Sequence, residues 1–259
     1  MAAQDTPTPT ASPHAQSASA PVIEVRGLVK TFGLYPVLRG LDLEVAHGEF
    51  VTLLGPNGSG KTTLLRILSG LARPTAGVVR VGGWELPAEA TFVRARLGVV
   101  SHLPLLYDTL TAEENLLFFA RLYNLPKETR RERVAAMLER VGLHHRAHDV
   151  VQTFSRGMQQ RLAIARAILH DPAVLLLDEP YTGLDQDAAA LLDRLLREVA
   201  VSGRTVLMTT HDLQRGHALA DRVAILSRGK IAHSARTDTL AAADLPALYA
   251  DVTGAATTR

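Results

Sequence analysis

The nine residues Gly55-Pro56-Asn57-Gly58-Ser59-Gly60-Lys61-Thr62-Thr63 follow directly on the apolar run Phe50-Val51-Thr52-Leu53-Leu54. A buried strand that feeds a glycine-rich loop and then a helix has few places to go except into a parallel sheet, and the spacing fits G-x-x-x-x-G-K-[ST]. Gly58 and Gly60 permit positive φ, so successive backbone N–H groups can turn inward around a phosphate. The helix that follows adds the positive end of its dipole. Lys61 supplies a full charge toward the terminal phosphates of a nucleotide, and Thr62 offers a hydroxyl to Mg²⁺.

The rest of the 259-residue chain is organised around that loop. Short β-branched or alternating runs extend from Val22 to about Gly83, punctuated by glycine and interrupted by one helix from Lys61 to about Leu71. From about 86 to 170 the pattern turns helical, as in AEENLLFFARLYNL, ETRRERVAAMLERVGL and MQQRLAIARAILH. The last of these stops before Asp171-Pro172, where proline forbids continuation. Strands and helices then alternate through AVLLLDE, AAALLDRLLREVA, TVLMTTH, LQRGHALA and VAILSRGKIAHSA. This predicts an α/β core over 22–235 with a helical insertion at about 86–170, a disordered tail at 1–21, and a short C-terminal tail at 236–259.

Composition removes several classes of function. The absence of cysteine excludes disulfides, thiolate metal sites and cysteine nucleophiles. With 28 Lys+Arg against 26 Asp+Glu, the balance of +2 argues against a dedicated nucleic-acid binder. No apolar run approaches the roughly 18 residues of a membrane-spanning helix, so a soluble chain is expected, and any work at a membrane needs another polypeptide. The N-terminus has neither a basic opening nor an apolar stretch before Ala18-Ser19-Ala20, so no secretory signal is expected. His144, His145 and His148 lack a carboxylate or thiolate at ligand spacing and read as an inter-helix loop. The charged face of ETRRERVAAMLER reads as solvated.

A second chemical element is VLLLDEP, which sets Asp178 and Glu179 at the end of an apolar strand, where ligands of such sheets sit. One carboxylate there can hold a metal's hydration shell, and the other can orient or deprotonate an attacking water.

With FSRGMQQRLAIARA standing just before VLLLDEP, the chain resembles the ATP-binding subunits of ABC transporters from Val22 to about Ile231. The resemblance implies a P-loop core of ABC-ATPase type, with an antiparallel β subdomain and a helical insertion. It implies ATP and Mg²⁺ as ligands, with the loop from Gly55 through Pro56, Asn57, Gly58, Ser59, Gly60, Lys61 and Thr62 to Thr63 around the phosphates. Phe32 would stack on adenine. Thr62, Asp178 and His102 would serve the metal. Lys61, Glu179 and His211 would carry the chemistry, His211 sensing the γ-phosphate. The family pairs two subunits head to tail, so Ser155 and Gly157 of the signature would contact the other copy's nucleotide, and the Gly183-Leu184-Asp185 loop would link the two. Membrane-spanning permease subunits at the cytoplasmic face of the cell membrane are the implied partners.

Three positions depart from the family's usual pattern. Arg156 stands where the LSGGQ signature has a glycine, Met158 where it has a glutamine, and His102 where a glutamine normally serves the metal. The histidine, the downstream LTAEENL and the SRGMQQR string resemble the haem exporter subunit of cytochrome c maturation. No direct haem contact by this chain is implied, and His14 and His233 read as tail or surface positions. A multidrug-type exporter and a weakly hydrolysing regulatory module are the alternatives.

Overall fold

The computed structural model describes residues 20–101 and 103–254. Among these, ten strands form two sheets. The first is antiparallel: β1 (Ile23–Phe32), β2 (Tyr35–Val45), β4 (Ala76–Val81) and β5 (Trp84–Leu86), in the order β2-β1-β4-β5. The second holds β3 (Phe50–Leu54), β6 (Leu97–Val100), β7 (Val174–Asp178), β8 (Thr205–Thr209), β9 (Arg222–Ser227) and β10 (Lys230–Arg236), in the order β10-β9-β3-β8-β7-β6. Only the β9–β10 hairpin in it is antiparallel. Every residue of β3, β7 and β8 is buried, as a parallel sheet covered on both faces requires.

The sheets face one another across α1 (Lys61–Leu68), whose Leu64, Ile67 and Leu68 are buried among Ile23, Leu41, Val79, Leu53 and Leu176. On the other side α3 (Ala112–Leu122), α4 (Arg130–Arg140), α5 (Arg156–Ile168) and α6 (Gln186–Val201) bury a second core against Val100, Leu175, Leu177, Val206 and Met208. Side chains cap α3, α5 and α6, whereas Thr129 before α4 makes no such bond. Thr111 and Glu114 form a reciprocal capping box on α3, and Ser155 and Asp185 accept from Met158 N and Ala188 N on α5 and α6.

Two boundaries differ from those predicted. The segment 86–170 is not wholly helical: after the short α2 (Ala90–Arg94), β6 joins the edge of the central sheet, with Val100 opposite Leu177. The run is four residues long and interrupted by Gly98, which hides it from periodicity. Gly98 is what lets it dock, because a Cβ there would stand 2.3 Å from Ala167 O and 2.9 Å from Pro172 Cγ. The stretch set apart as a C-terminal tail contains α8 (Leu245–Thr253), which follows α7 (Leu213–Leu219) and the β9–β10 hairpin. Leu245, Leu248, Tyr249 and Val252, at i, i+3, i+4 and i+7, cover Leu54, Val223 and Ile225. Gly254 ends α8 in the left-handed conformation.

Candidate functional site

Gly55–Thr63 runs from β3 into α1 as the sequence predicts. Gly58 and Gly60 take φ of +78° and +112°, values that only glycine adopts without strain. The first bond closing α1 runs from Leu64 N–H to Gly60 O, so the amides of Lys61, Thr62 and Thr63 have no partner within the helix. Asn57 to Thr63, with Val37 and Glu179, line a cavity of about 330 Å³. These free amides at a helix N-terminus fit a phosphate.

Lys61 is only 7% exposed. Its ammonium folds back across the loop, donating to Gly55 O at 2.6 Å and Pro56 O at 3.3 Å. Burial pulls its pKa below the ordinary lysine value, while the charges of Glu179 and Asp178 act the other way. A polyanion in the cavity would strengthen that opposing effect and hold the cation.

The carboxylates lie where β7 meets β8. The register sets Asp178 opposite Thr209, and Thr209 Oγ1 donates to Asp178 Oδ1 at 2.7 Å. The Glu179 N–H is shared between Thr209 O and Thr209 Oγ1, both at 3.1 Å. Glu179 itself has φ of +50°, a conformation that costs a non-glycine residue about 1–2 kcal/mol. Such strain is held at working sites by surrounding structure. Here that structure is Thr209 below and His211 above. His211 Nδ1 lies 2.8 Å from Glu179 Oε2, and the His211 N–H donates to the same oxygen at 3.3 Å.

Thr62 and Asp178 also share the wall of an adjoining cleft of about 210 Å³ with Leu65, Val99, Ser101, Leu103 and Leu105. A hydroxyl and a carboxylate converging there are a donor set suited to Mg²⁺. The residues on either side of position 102 close this cleft, while His102 itself lies outside the described residues. No cluster of three or more metal-binding side chains occurs among the described residues, His144 and His148 included. Those two instead sit 3.1 Å from Glu139 and 3.3 Å from Glu113.

Other expected positions stand apart from the Lys61 cavity. Phe32 is 52% exposed near the tip of the β1–β2 hairpin, with Lys30 Nζ 4.7 Å from its ring centre. Ser155 and Gly157 open α5 and Asp185 opens α6, and none of the three lines the cavity. The sequence reading missed Thr209, whose role comes from a cross-strand register, and Gln160, whose buried amide donates to Pro180 O at 3.0 Å just after Glu179. The available signal for Thr209 was a hydroxyl directly after the apolar run Val206-Leu207-Met208.

Comparison with known proteins agrees with this fold. Residues 38–182 match the protein family described as ABC transporter. A Nod factor export ATP-binding protein I of Ralstonia nicotianae is 41% identical over 82% of this chain and 66% of its own length. A linearmycin resistance ATP-binding protein of Bacillus subtilis is 35% identical over 84% of this chain and 70% of its own. Among solved structures, the dimeric post-hydrolysis state of an ATP-binding cassette bound to ADP and Pi superposes with a TM-score of 0.77 at 30% identity. That match covers 83% of this chain and 98% of the other. The structure of an ATP-binding subunit of an ABC transporter gives 0.79, also at 30% identity, over 84% and 91%.

Proposed function

Because this chain belongs to the ABC transporter family, as an ATP-hydrolysing transporter subunit, we propose that it powers an exporter by closing on ATP with a second copy of itself. The observation that supports the pairing is that the expected site residues lie in two separate places. The Lys61 cavity is lined by the free amides at the start of α1, whereas Ser155 and Asp185 cap α5 and α6 and neither they nor Gly157 line it. A head-to-tail partner would bring one copy's capped turn to the other's phosphates.

In this reading the free amides of Lys61–Thr63 and the Lys61 ammonium bind the phosphates. Thr62 and Asp178 would hold Mg²⁺, which when bound neutralises charge on the phosphate oxygens. Glu179 accepts the proton of the attacking water, and His211 fixes the carboxylate that does so. Hydrolysis breaks the bond to the terminal phosphate, and only when that phosphate leaves is the charge that bridges the two copies lost, so that they separate; a ligand shifts such an equilibrium only by binding one state better.

The exposed side chains of Leu71, Leu103 and Leu105 around the second cleft support docking of a membrane-spanning partner beside the metal position. No helix among the described residues is long and apolar enough to cross a membrane. The place of work would be the cytoplasmic face, where a permease holds the chain.

For cargo, the relatives' names, Nod factor export and linearmycin resistance among them, support an exporter other than one for haem, such as a multidrug-type exporter. The haem reading keeps the SRGMQQR string as its support. Gel filtration of Glu179→Gln tests the engine: ATP should convert it to a dimer that wild type forms only transiently, and a monomer at saturating ATP refutes pairing. Cargo is tested by replacing the native gene with Glu179→Gln. Loss of covalent haem staining with b-type cytochromes spared supports haem export; normal c-type cytochromes refute it.

A further inference from the structure

Three elements converge on the phenol of Tyr181, which lines neither the phosphate cavity nor the metal cleft. Tyr181 follows Glu179 by two residues, in a turn closed by the Thr182 N–H donating to Glu179 O at 3.1 Å. Its ring is half-buried against the helical core, and its hydroxyl donates to Asp193 Oδ1 on α6 at 2.5 Å, the short length of a charge-assisted bond. Burial, the bond to Asp193 and the charge of that carboxylate push the phenol's pKa well up, so it stays protonated and remains a donor. Arg215 of α7 completes the cluster. Its guanidinium carbon lies 4.7 Å from the Tyr181 ring centre, and its Nε lies 3.7 Å from Asp193 Oδ2.

This cluster grips both partners of the Glu179–His211 contact from behind. Arg215 stands four residues after His211, and Asp212 caps α7 by accepting from the Arg215 N–H at 3.0 Å. Gly216 lets the same helix lie close on the sheet, because a Cβ there would stand 2.8 Å from Thr52 Cγ2 and 3.1 Å from Thr210 Cγ2. The strained Glu179 backbone needs its turn held from outside. Gln160 holds one side of that turn through Pro180 O, and Tyr181 ties the other side to α6 and α7.

We propose that Tyr181 is a positioning residue for ATP hydrolysis, its hydroxyl locking the Glu179 turn onto Asp193 beside the helix that follows His211. The inference rests on the reading of Glu179 as the base and His211 as its support, and names what holds that pair in line. None of Tyr181, Asp193 and Arg215 lines the Lys61 cavity, so nucleotide binding is independent of the clamp.

The test uses the full chain, with thermal melts to establish that each variant is folded. Tyr181→Phe removes the hydroxyl and leaves the ring beside Arg215. It should lower kcat for ATP about fivefold with KM within about twofold, because a small displacement is felt by the chemistry and not by the phosphate cradle. Asp193→Ala should reproduce that loss, and Asp193→Asn, which keeps an acceptor for the phenol, should retain most of kcat. In histidine-labelled protein, the His211 imidazole resonance, assigned by its loss in His211→Ala, should shift in Tyr181→Phe. An aromatic ring remains at the position, so the shift would report movement of the imidazole. An unchanged kcat overturns the inference, as does a loss that appears in KM instead. A lowered kcat with the His211 resonance in place overturns it too, since Tyr181 would then not act through the pair. Near-normal turnover by Glu179→Gln would refute the assignment of the base itself, and the inference with it.

Discussion

Thr209→Val removes one hydroxyl from beneath the two carboxylates and changes little else. Thr209 is fully buried and Asp178 is 5% exposed, so water cannot replace the lost donor to Asp178 Oδ1. Valine nearly matches threonine in shape, which leaves no cavity contribution. A hydrogen bond to a charged group contributes about 1.5–3 kcal/mol, and losing one partner of a buried pair falls within that range. Taking about 2 kcal/mol, a domain of this size should melt about 4–8 °C lower. The Glu179 amide keeps Thr209 O as acceptor, so the strained Glu179 backbone survives with one hold instead of two. The carboxylates should drift by a fraction of an ångström, costing kcat about tenfold, since misplacement by 1 Å costs about a hundredfold. Calorimetry and a steady-state ATPase assay read both effects. Thr209→Ser, which keeps the hydroxyl, should restore most of the activity. If the valine variant melts within about 1 °C of wild type and turns over within about twofold, the bond to Asp178 supports neither stability nor catalysis.

Other perturbations separate the parts of the site. Lys61→Ala should abolish most ATP binding or turnover, measured by nucleotide titration, because it removes the cation that spans the loop. Phe32→Ala should raise the KM for ATP by a factor of about 5 to 150, equivalent to 1–3 kcal/mol of stacking, with kcat little changed; an unchanged KM would transfer the adenine role to Tyr35 across the hairpin. Gly98→Ala should destabilise by about 3 kcal/mol, the upper end for overpacking, because backbone at Ala167 blocks the added methyl, and urea melts would read it. His170 is held neutral by burial, which pushes its pKa down to about 4, partly offset by its bond to Leu97 O. The unfolded chain takes up that proton first, so stability is full above pH 6.5 and falls as the pH drops toward 4. The fall in melting temperature between pH 7 and pH 5 should be smaller in His170→Gln, and an identical fall in both proteins would refute the linkage.

The phosphate loop could be read without a structure because its chemistry is local. Glycines that permit positive φ, a lysine and a hydroxyl at fixed offsets, and an apolar run ahead of them need only neighbouring residues to make sense. The same holds for α3, α4 and α6, whose periodic apolar faces are short-range signals, as are the Thr111 and Asp185 caps of α3 and α6. The helix α8 was also written locally, at positions 245, 248, 249 and 252 with Gly254 behind, but a nine-residue run after the last strand gave no sign of what it would cover.

What the tertiary structure decided depends on residues far apart in sequence. That Leu97–Val100 is a sheet strand follows from a parallel partner 77 residues on and from the absence of a side chain at Gly98, neither of which leaves a periodic trace. The placing of Thr209 under Asp178, of Gln160 on Pro180 O and of Tyr181 on Asp193 is set by register and packing between elements. A sequence states which residues can carry charge or donate a hydrogen bond. Which of them meet is settled only when distant strands and helices close on one another.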